Sequence, residues 1–330
     1  MKIGFFGLRE QDKRDYFINS LSEHQIFFID QDLTEENLPD KTDFEVISVF
    51  VQSKLNQKVL DHFENLKLIV IRATGFDNID LKHAQSKGIL VANVPAYGSH
   101  TVAEFAFGLI LSLSRKIPQA VESVKHQAKF NQDGLIGFDL YGKTLGVIGT
   151  GKIGANVIKI AKGFGMIVQA YDLYPNQQLS QTLEFQYVPL DQLLKESDII
   201  TIHVPASLET HHLINSQNIY QLKKGAILIN TARGDIVETE ALYKAIMDGH
   251  LGGVGLDVVE GEGVLFKHVK TAPENNDMTE TLSLIKSSNV IVTPHIAFYT
   301  FEAEEAIVQT TVENIQGFIS GTPKNLVTTN

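Results

Sequence analysis

Three side chains that can handle a carboxylate and a proton each follow a short apolar strand in the second half of the chain. The pairs of strand and following residue are Ala226–Asn230 with Arg233, Gly253–Asp257 with Glu262, and Val290–Thr293 with His295. An arginine fork grips a carboxylate through two parallel hydrogen bonds. Histidine is the usual proton donor near neutral pH, and a neighbouring carboxylate favours its protonated form. Taken singly, Arg233 could form an ordinary surface ion pair, Glu262 could be a solvated carboxylate, and His295 could be an incidental loop histidine. Together the three residues predict a catalytic set.

A glycine-rich turn predicts what this set works with. Gly149-Thr-Gly151-Lys152-Ile153-Gly154 follows the strand Thr144–Ile148 and opens a helix, Lys152–Phe164. In such a turn the first glycine allows the tight bend, the second lets backbone approach a pyrophosphate, and the third lets helix pack on strand. The free N–H groups of the helix then face the phosphates. The sequence therefore predicts a dinucleotide site.

The residue at the tip of the next strand selects between the two nicotinamide cofactors. Asp172 ends the strand Ile167–Tyr171, 18 residues after Gly154, and residues 173–176 contain no arginine. A carboxylate there accepts bonds from a ribose diol and repels a 2′-phosphate, so NAD is favoured over NADP. Reducing a ketone needs a hydride, a proton and a positive charge near the developing oxyanion. A nicotinamide, His295 and Arg233 would supply them.

The elements that must position these residues alternate between short apolar strands and amphipathic segments. The predicted strands before residue 100 are Lys2–Phe6, Glu45–Phe50, Leu68–Arg72 and Ile89–Asn93, and the pattern restarts at Thr144 with the strands already named and Ile199–His203. Near-continuous apolar strands between helices predict parallel sheets covered on both faces. The fold class is therefore α/β, with two doubly wound parallel-sheet domains.

One long helix is predicted between the two series of strands, over His100–Lys125. Its first half, Val102–Leu113, is apolar on all sides and must be buried on all sides. Two interpretations remain open: the helix is trapped between the two domains of its own chain, or it forms an interface with a second copy. We expect a homodimer through this helix.

Composition limits the other function classes. The chain has 330 residues, no cysteine and a net charge of −11 without a basic block. Disulfides and thiolate chemistry are excluded, and nucleic acid is not indicated as a partner. The start MKIGFFGLRE meets charge at Arg9 before a signal-length apolar run develops, and the most apolar stretch, Val102–Leu113, falls short of the roughly 20 residues that span a bilayer. These features favour a cytoplasmic protein. No metal is expected, because no close-spaced set of His, Asp and Glu ligands appears and the side chains of the adjacent His211 and His212 should point apart.

The chain resembles the D-isomer-specific 2-hydroxyacid dehydrogenases, most closely their D-lactate dehydrogenase branch. The resemblance runs from Arg72-Ala-Thr-Gly-Phe-Asp77 to Thr293-Pro-His-Ile-Ala-Phe-Tyr-Thr300 and includes GTGKIG, NTARG and GLDVVEGE in family order. It implies that Arg233 binds the 2-oxo acid carboxylate and polarises the ketone, with His295 as acid/base and Glu262 as its partner. It also implies a Rossmann-type NAD domain, residues 101–296, inserted into a flavodoxin-like substrate domain, residues 1–100 plus 297–330.

The resemblance also implies two groups of binding residues. For the substrate these are the backbone N–H groups of Thr74, Gly75 and Phe76, with Tyr97, Phe298 and Tyr299 around the pocket. For NAD they are Gly149, Gly151, Lys152, Ile153, Gly154, Asp172, His203, Val204, Pro205, Thr231, Ala232 and Asp257. Phe298 and Tyr299 would wall a small pocket that suits pyruvate, unless they belong to the core.

These features predict an NAD-dependent D-lactate dehydrogenase. Two alternatives stay open: a dehydrogenase for a bulkier D-2-hydroxy acid such as D-2-hydroxyisocaproate, and an NAD-sensing, corepressor-like protein with weak activity. The sequence leaves undetermined the substrate side chain, the physiological direction and pathway, the oligomeric state beyond an expected dimer, and the open or closed arrangement of the domains.

Overall fold

The chain divides into two compact units. A computed structural model describes residues 1–8, 10–262 and 276–328. The flanking unit comprises Met1–Tyr97 and Thr300–Asn330, and the central unit comprises Gly98–Tyr299. The two divisions therefore fall at 97/98 and 299/300, whereas the sequence placed them at 100/101 and 296/297.

The elements alternate between strand and helix along most of the chain. The N-terminal part contains β1 (Lys2–Phe6), α1 (Gln11–Ser20), β2 (Gln25–Ile29), β3 (Val46–Val49), α2 (Gln57–Asp61), β4 (Leu68–Ile71), α3 (Leu81–Ser86) and β5 (Leu90–Ala92). The central unit begins with α4 (Ser99–Ser114), α5 (Ile117–Gln127), β6 (Thr144–Ile148), α6 (Lys152–Gly163), β7 (Ile167–Tyr171), α7 (Gln177–Leu183), β8 (Gln186–Tyr187), α8 (Leu190–Glu196) and β9 (Ile199–Ile202). It continues with β10 (Ile227–Asn230), α9 (Thr239–Met247), β11 (Gly253–Leu256), α10 (Asn276–Lys286) and β12 (Val290–Val292), and α11 (Phe301–Ile319) follows in the flanking unit.

Both sheets are entirely parallel among the described strands. The flanking sheet has the order β2-β1-β3-β4-β5, and the central sheet has the order β12-β11-β10-β9-β6-β7-β8. The first is the flavodoxin-like order and the second is an extended Rossmann order, so the predicted fold class is confirmed. The sequence missed β2 and β8; β8 has only two residues, and no residue of β2 is fully buried.

Alternate residues of each strand enter cores on opposite faces of its sheet. In β4, Leu68 and Val70 pack in one buried cluster, and Ile69 and Ile71 pack in another. The strands therefore read as continuous apolar runs, because parallel sheets are covered on both faces. No helix in the described part of the chain is long and apolar enough to cross a membrane.

The predicted helix over 100–125 is wrong: the segment forms two helices, α4 and α5. Lys116 between them is left-handed with φ 51°, and Pro118 lies in the first turn of α5. Proline has no N–H to continue the helix ladder back to the Ser114 carbonyl. That carbonyl instead accepts a 2.9 Å hydrogen bond from the N–H of Phe138.

The two helices also differ in burial. Ala103, Ala106, Leu109, Ile110 and Leu113 of α4 lie in a buried cluster of the central unit. No residue of α5 is buried. The apolar first half of the predicted helix is therefore part of the core of the central unit.

Candidate active site

The candidate site residues of the central unit follow one row of paired strand residues. Across the sheet the row runs Tyr171, Ile148, Ile202, Asn230, Leu256 and Val292. The next residues in the chain are Asp172, Gly149, His203, Thr231, Asp257 and Thr293. Six strands thus end in register, and the residues that follow them share the carboxyl edge of one sheet, where doubly wound folds bind their ligands.

The glycine-rich turn has the geometry of a phosphate-binding turn. Gly149 adopts φ 92°, and a Cβ there would lie 2.7 Å from the His203 carbonyl oxygen. A Cβ on Gly154 would lie 2.0 Å from the Gly149 carbonyl oxygen, so only glycine lets α6 pack against the turn. A Cβ on Gly151 would meet nothing within 4 Å. Gly151 also begins α6 as its N-cap, with the exposed Lys152 and the half-buried Ile153 as its first residues.

Asp172 is tied to this turn. Its Oδ2 accepts hydrogen bonds from the Thr150 N–H at 2.7 Å and the Thr150 hydroxyl at 2.9 Å. Its Oδ1 accepts one from the Tyr174 N–H at 2.9 Å. Because an ionised carboxylate has about four acceptor positions, one remains for a ribose hydroxyl.

Two buried polar atoms on the neighbouring strand ends fit a cofactor. His203 Nδ1 and Thr231 Oγ1 are buried and have no hydrogen-bond partner among the described residues. His203 uses its Nε2 with the Thr201 hydroxyl at 2.9 Å, and burial lowers the pKa of His203 to about 3. A neutral imidazole and a hydroxyl left without partners suit the amide and hydroxyl groups of a dinucleotide.

The other predicted cofactor residues line the same edge. Val204 Cγ1 would lie 2.8 Å from a Cβ on Gly149. The Pro205 carbonyl accepts a hydrogen bond from the Thr210 hydroxyl at 2.7 Å. Ala232 donates its N–H to Asn230 Oδ1 at 3.0 Å and accepts from Arg233 Nη1 at 2.7 Å. These contacts fix the shape of the loops after β9 and β10.

His295 and Glu262 form a directly bonded pair. His295 Nδ1 lies 2.7 Å from Glu262 Oε1, and both side chains are more than two-thirds buried. Glu262 Oε2 also accepts from the N–H of Val259 at 3.3 Å. With Nδ1 directed at the carboxylate, Nε2 is the atom that can exchange a proton with a substrate.

Asp257 holds the loop that carries His295. Its Oδ1 accepts from the Thr293 hydroxyl at 2.6 Å and the Ile296 N–H at 2.9 Å, and its Oδ2 accepts from the Ala297 N–H at 2.8 Å. The N–H of His295 donates to the Asp257 carbonyl at 2.9 Å, and His295 itself is left-handed with φ 55°. This positioning role is additional to the nicotinamide contact that the sequence suggested.

Asn230 has a similar positioning role that the sequence did not reveal. Its Nδ2 donates to the Arg233 carbonyl at 2.7 Å while its Oδ1 holds the Ala232 N–H, so its side chain shapes the turn before Arg233. Its place at the start of the NTARG motif was the available signal.

The predicted substrate residues are distributed between the units. Phe298, in the central unit, lies with its ring centroid 6.5 Å from that of His295, and Tyr299 is 58% exposed. Thr74, Gly75, Phe76 and Tyr97 belong to the flanking unit. Thr74 is fixed there by a 2.9 Å bond from its hydroxyl to the Val94 carbonyl and a 2.7 Å bond from Asn93 to its own carbonyl.

The loop of the flanking unit has spare donors. Among the described residues, no acceptor takes the backbone N–H groups of Thr74, Gly75 or Phe76. Three consecutive free N–H groups after a parallel strand can bind an anion such as a carboxylate.

The expectation that His211 and His212 point apart is wrong. Their rings stack with centroids 4.0 Å apart and an interplanar angle of 29°. The reason is the left-handed backbone of His212, with φ 48°. Alternation of neighbouring side chains holds for an extended strand and fails in this turn.

Comparisons with known proteins agree with this geometry. Residues 107–297 match the model of the D-isomer specific 2-hydroxyacid dehydrogenase, NAD binding domain, which confirms the predicted NAD cofactor for this domain. The chain is 36% identical to the D-lactate dehydrogenase of Escherichia coli strain K12, over 97% of this chain and 98% of that protein.

Solved structures give the same result. A D-lactate dehydrogenase from Aquifex aeolicus, complexed with NAD and lactic acid, superposes with a TM-score of 0.91 at 37% identity, covering 99% of both chains. A D-2-hydroxyisocaproate dehydrogenase superposes with a TM-score of 0.82 at 32% identity, covering 100% of both chains. The chain belongs to the D-isomer-specific 2-hydroxyacid dehydrogenases.

Proposed function

We propose that this protein is an NAD-dependent D-lactate dehydrogenase that reversibly reduces pyruvate to D-lactate. The observation that carries the proposal is the 2.7 Å bond between His295 and Glu262 at the carboxyl edge that also carries Arg233 and the glycine-rich turn. The likeness to D-lactate dehydrogenases from Escherichia coli and Aquifex aeolicus supports the substrate.

Each residue has a defined task in this reaction. Bound NADH supplies the hydride that adds to the ketone carbon. Arg233 binds the substrate carboxylate and stabilises the negative charge that develops on the ketone oxygen. His295 gives the proton on Nε2 to that oxygen, and Glu262 stabilises the protonated ring through Nδ1. In the flanking unit, the N–H groups of Thr74, Gly75 and Phe76 can bind an anion, and we propose that this anion is the substrate carboxylate.

The cofactor is held by the other half of the same sheet edge. The N–H groups at the start of α6 would bind the pyrophosphate, and Asp172 would accept a hydrogen bond from a ribose hydroxyl. His203 Nδ1 and Thr231 Oγ1 offer polar groups that have no partner among the described residues. The negative charge of Asp172 favours NADH over NADPH, because it repels a 2′-phosphate.

The first experiment measures NADH consumption with pyruvate, 2-oxoisocaproate, hydroxypyruvate and oxaloacetate, and determines the chirality of the product. We expect fastest turnover on pyruvate, giving D-lactate. Arg233→Gln should lower turnover by about 10²–10³-fold, because it removes the positive charge that stabilises the developing oxyanion. Arg115→Gln, which changes an exposed arginine of the same unit, should leave turnover unchanged. Tight NADH binding without turnover on any substrate would instead support the NAD-sensing alternative.

The bulkier-acid alternative has one specific observation in its favour, the likeness to the D-2-hydroxyisocaproate dehydrogenase. Phe298 next to His295 supports the smaller substrate, since its ring would limit the space for a side chain. Phe298→Ala should therefore move the preference toward 2-oxoisocaproate by about tenfold. Phe301→Ala, at a 93% exposed ring, is the matched control. A wild-type preference for 2-oxoisocaproate would contradict the small-pocket proposal and leave the mechanism intact.

We also propose a homodimer, now through α5 and the segment that follows it. Ile117, Val121 and Val124 of α5 are 46–48% exposed and lie on one helix face, and Phe130 and Ile136 are 94% and 85% exposed. An apolar surface of this extent is typical of an interface. Val124→Glu should convert a dimer to a monomer in light scattering, whereas His126→Glu, on the opposite face, should not. A wild-type monomer at working concentration would contradict the proposal.

The cellular location stays a prediction. The cysteine-free composition supports a reducing, cytoplasmic environment. Fractionation of cells that produce the protein, followed by NADH-dependent pyruvate reduction in each fraction, tests it.

A further inference from the structure

A cluster of metal-binding side chains lies outside the residues assigned to catalysis. His211, His212 and Glu260 each offer one ligand atom, and these atoms all lie within 4.8 Å of one another. The three residues belong to two loops of the central unit, one after β9 and one after β11. We name them the His–His–Glu cluster.

The backbone of the two histidines is fixed in the conformation that brings their rings together. The N–H of His212 donates to the Asp235 carbonyl at 2.8 Å, and the His212 carbonyl accepts from Asn215 Nδ2 at 2.8 Å. The N–H of His211 donates to the Ser207 carbonyl at 3.0 Å. The left-handed φ of His212 is thus held from both sides, which keeps the two imidazole rings next to each other.

Glu260 is oriented by a second residue, as carboxylate ligands usually are. Its Oε1 lies 2.8 Å from His212 Nε2. Its Oε2 accepts from the Thr239 hydroxyl at 2.9 Å and the Thr239 N–H at 3.3 Å. One carboxylate oxygen is therefore directed at the imidazole and the other is held by Thr239.

The chemistry of these groups suits one class of ion. Two imidazole nitrogens and one carboxylate oxygen are ligands that Zn²⁺ takes in open four-coordinate sites, with water in the fourth position. Ligand atoms of tetrahedral zinc lie about 3.3–3.5 Å apart for bonds of about 2.0–2.2 Å. Zinc binding would move His212 Nε2 and Glu260 Oε1, which lie 2.8 Å apart, to this spacing, and the exposed ring of His211 would rotate to complete the set.

We propose that the His–His–Glu cluster binds one Zn²⁺ ion, at a site separate from His295 and Glu262. The ordinary alternative is a His212–Glu260 ion pair with an incidental neighbour. The two accounts differ over His211: it is a ligand in the first and has no role in the second. Thr239 acts as a positioning residue that orients Glu260.

Isothermal titration of the full chain with ZnCl₂, without substrate or NADH, tests the proposal. We expect one equivalent to bind to the wild type. His211→Ala should weaken this binding by at least about tenfold, and Thr239→Val, which removes the hydroxyl that orients Glu260, should weaken it by about tenfold. Because His211 is exposed, its substitution should leave the thermal unfolding temperature unchanged, and that measurement separates ligand loss from misfolding.

A matched control comes from the flanking unit. His83 Nε2 lies 2.9 Å from Asp61 Oδ1, which is a histidine–carboxylate pair without a stacked second histidine. His83→Ala should keep the wild-type affinity for Zn²⁺. The proposal is overturned if the wild type binds no Zn²⁺, if His211→Ala binds as tightly as the wild type, or if His295→Ala removes the binding instead. Since no substrate is present, failure of this test is distinguishable from failure of the proposed dehydrogenase activity.

Discussion

The two sheets begin with the same strand–turn–helix–strand unit and use it differently. In the flanking unit, β1, α1 and β2 follow one another, and in the central unit β6, α6 and β7 do so with the same parallel pairing. The first turn has one glycine, Gly7, with φ 66°, and a Cβ there would lie 2.4 Å from Asp32 Oδ1. The second turn has three glycines, and the middle one faces open space.

The difference shows that topology places a turn at a sheet edge but does not make it a phosphate site. At Gly7 the space beside the backbone is already occupied by a carboxylate, which would repel a phosphate. At Gly151 nothing lies within 4 Å of the Cβ position, and the helix N-terminus is directed at the gap. The glycine pattern, rather than the strand order, therefore carries the nucleotide function.

Filling the open space at Gly151 should have a large effect on cofactor binding. Gly151→Val should lower the affinity for NADH by about 100-fold, which is about 2.7 kcal/mol, because its side chain occupies the space for the pyrophosphate. Fluorescence titration with NADH measures this. Gly163→Val, which also meets nothing within 4 Å and lies at the other end of α6, should keep the affinity. Equal affinity in both variants would contradict the placement of the phosphates.

A second contrast concerns acid stability near the central turn. An unfolded histidine has a pKa of about 6.5, whereas burial lowers that of His203 to about 3. Between these values the unfolded chain binds a proton that the folded chain does not, so stability should fall as the pH falls. From this difference in pKa, we expect the free energy of unfolding to be about 2 kcal/mol lower at about pH 4.5 than at neutral pH.

Urea unfolding of the wild type and of His203→Gln across this pH range provides the measurement. The variant should lose less stability with acid than the wild type, and His126→Gln, which changes an exposed histidine, should follow the wild type. Parallel curves for the wild type and His203→Gln would show that His203 is not the acid-sensitive group.

The acidic residues of the two turns give a third contrast. Asp172→Ala should lower the preference for NADH over NADPH by about tenfold, because the carboxylate no longer repels a 2′-phosphate. Asp32→Ala, in the flanking turn, should leave the preference unchanged. Steady-state rates with both cofactors measure the ratio. An unchanged ratio in Asp172→Ala would remove this residue from cofactor selection.

The smallest expected effect is at Gly7. Gly7→Ala should destabilise the protein by about 1 kcal/mol, because alanine is strained at a positive φ. Its NADH affinity should equal that of the wild type, since the flanking turn binds no phosphate in our account. Thermal unfolding and the same NADH titration test both parts, and a weakened NADH affinity would make the two turns functionally alike.

The parts of the molecule that sequence predicted are those encoded in a few adjacent residues. The positive φ of Gly149 and the close packing at Gly154 both require glycine, so the geometry of the turn can be predicted from the motif alone. The strand ends were predictable because continuous apolar runs define parallel strands. The alignment of six strand ends in one row then followed from the topology.

The parts that sequence missed depend on backbone conformation or on contacts between distant residues. The break at Lys116 and the stacking of His211 on His212 both result from left-handed residues that are not glycine. The anchoring of the His295 loop by Asp257 joins residues 36–40 positions apart, which no local pattern reveals. Periodicity also cannot identify a strand as short as β8.

The return of α11 to the flanking unit has a consequence for biosynthesis. Val308, Val312 and Ile315 of α11 complete the buried cluster under β4, and Asn314 Nδ2 bonds to the Asn93 carbonyl at 2.8 Å. The ribosome must add about 200 further residues after Tyr97 before this helix exists, which takes about 10–40 s at typical rates of translation. Until then the N-terminal segment cannot complete its core, and its apolar surface is available to chaperones. The central unit is continuous in sequence and can therefore fold first.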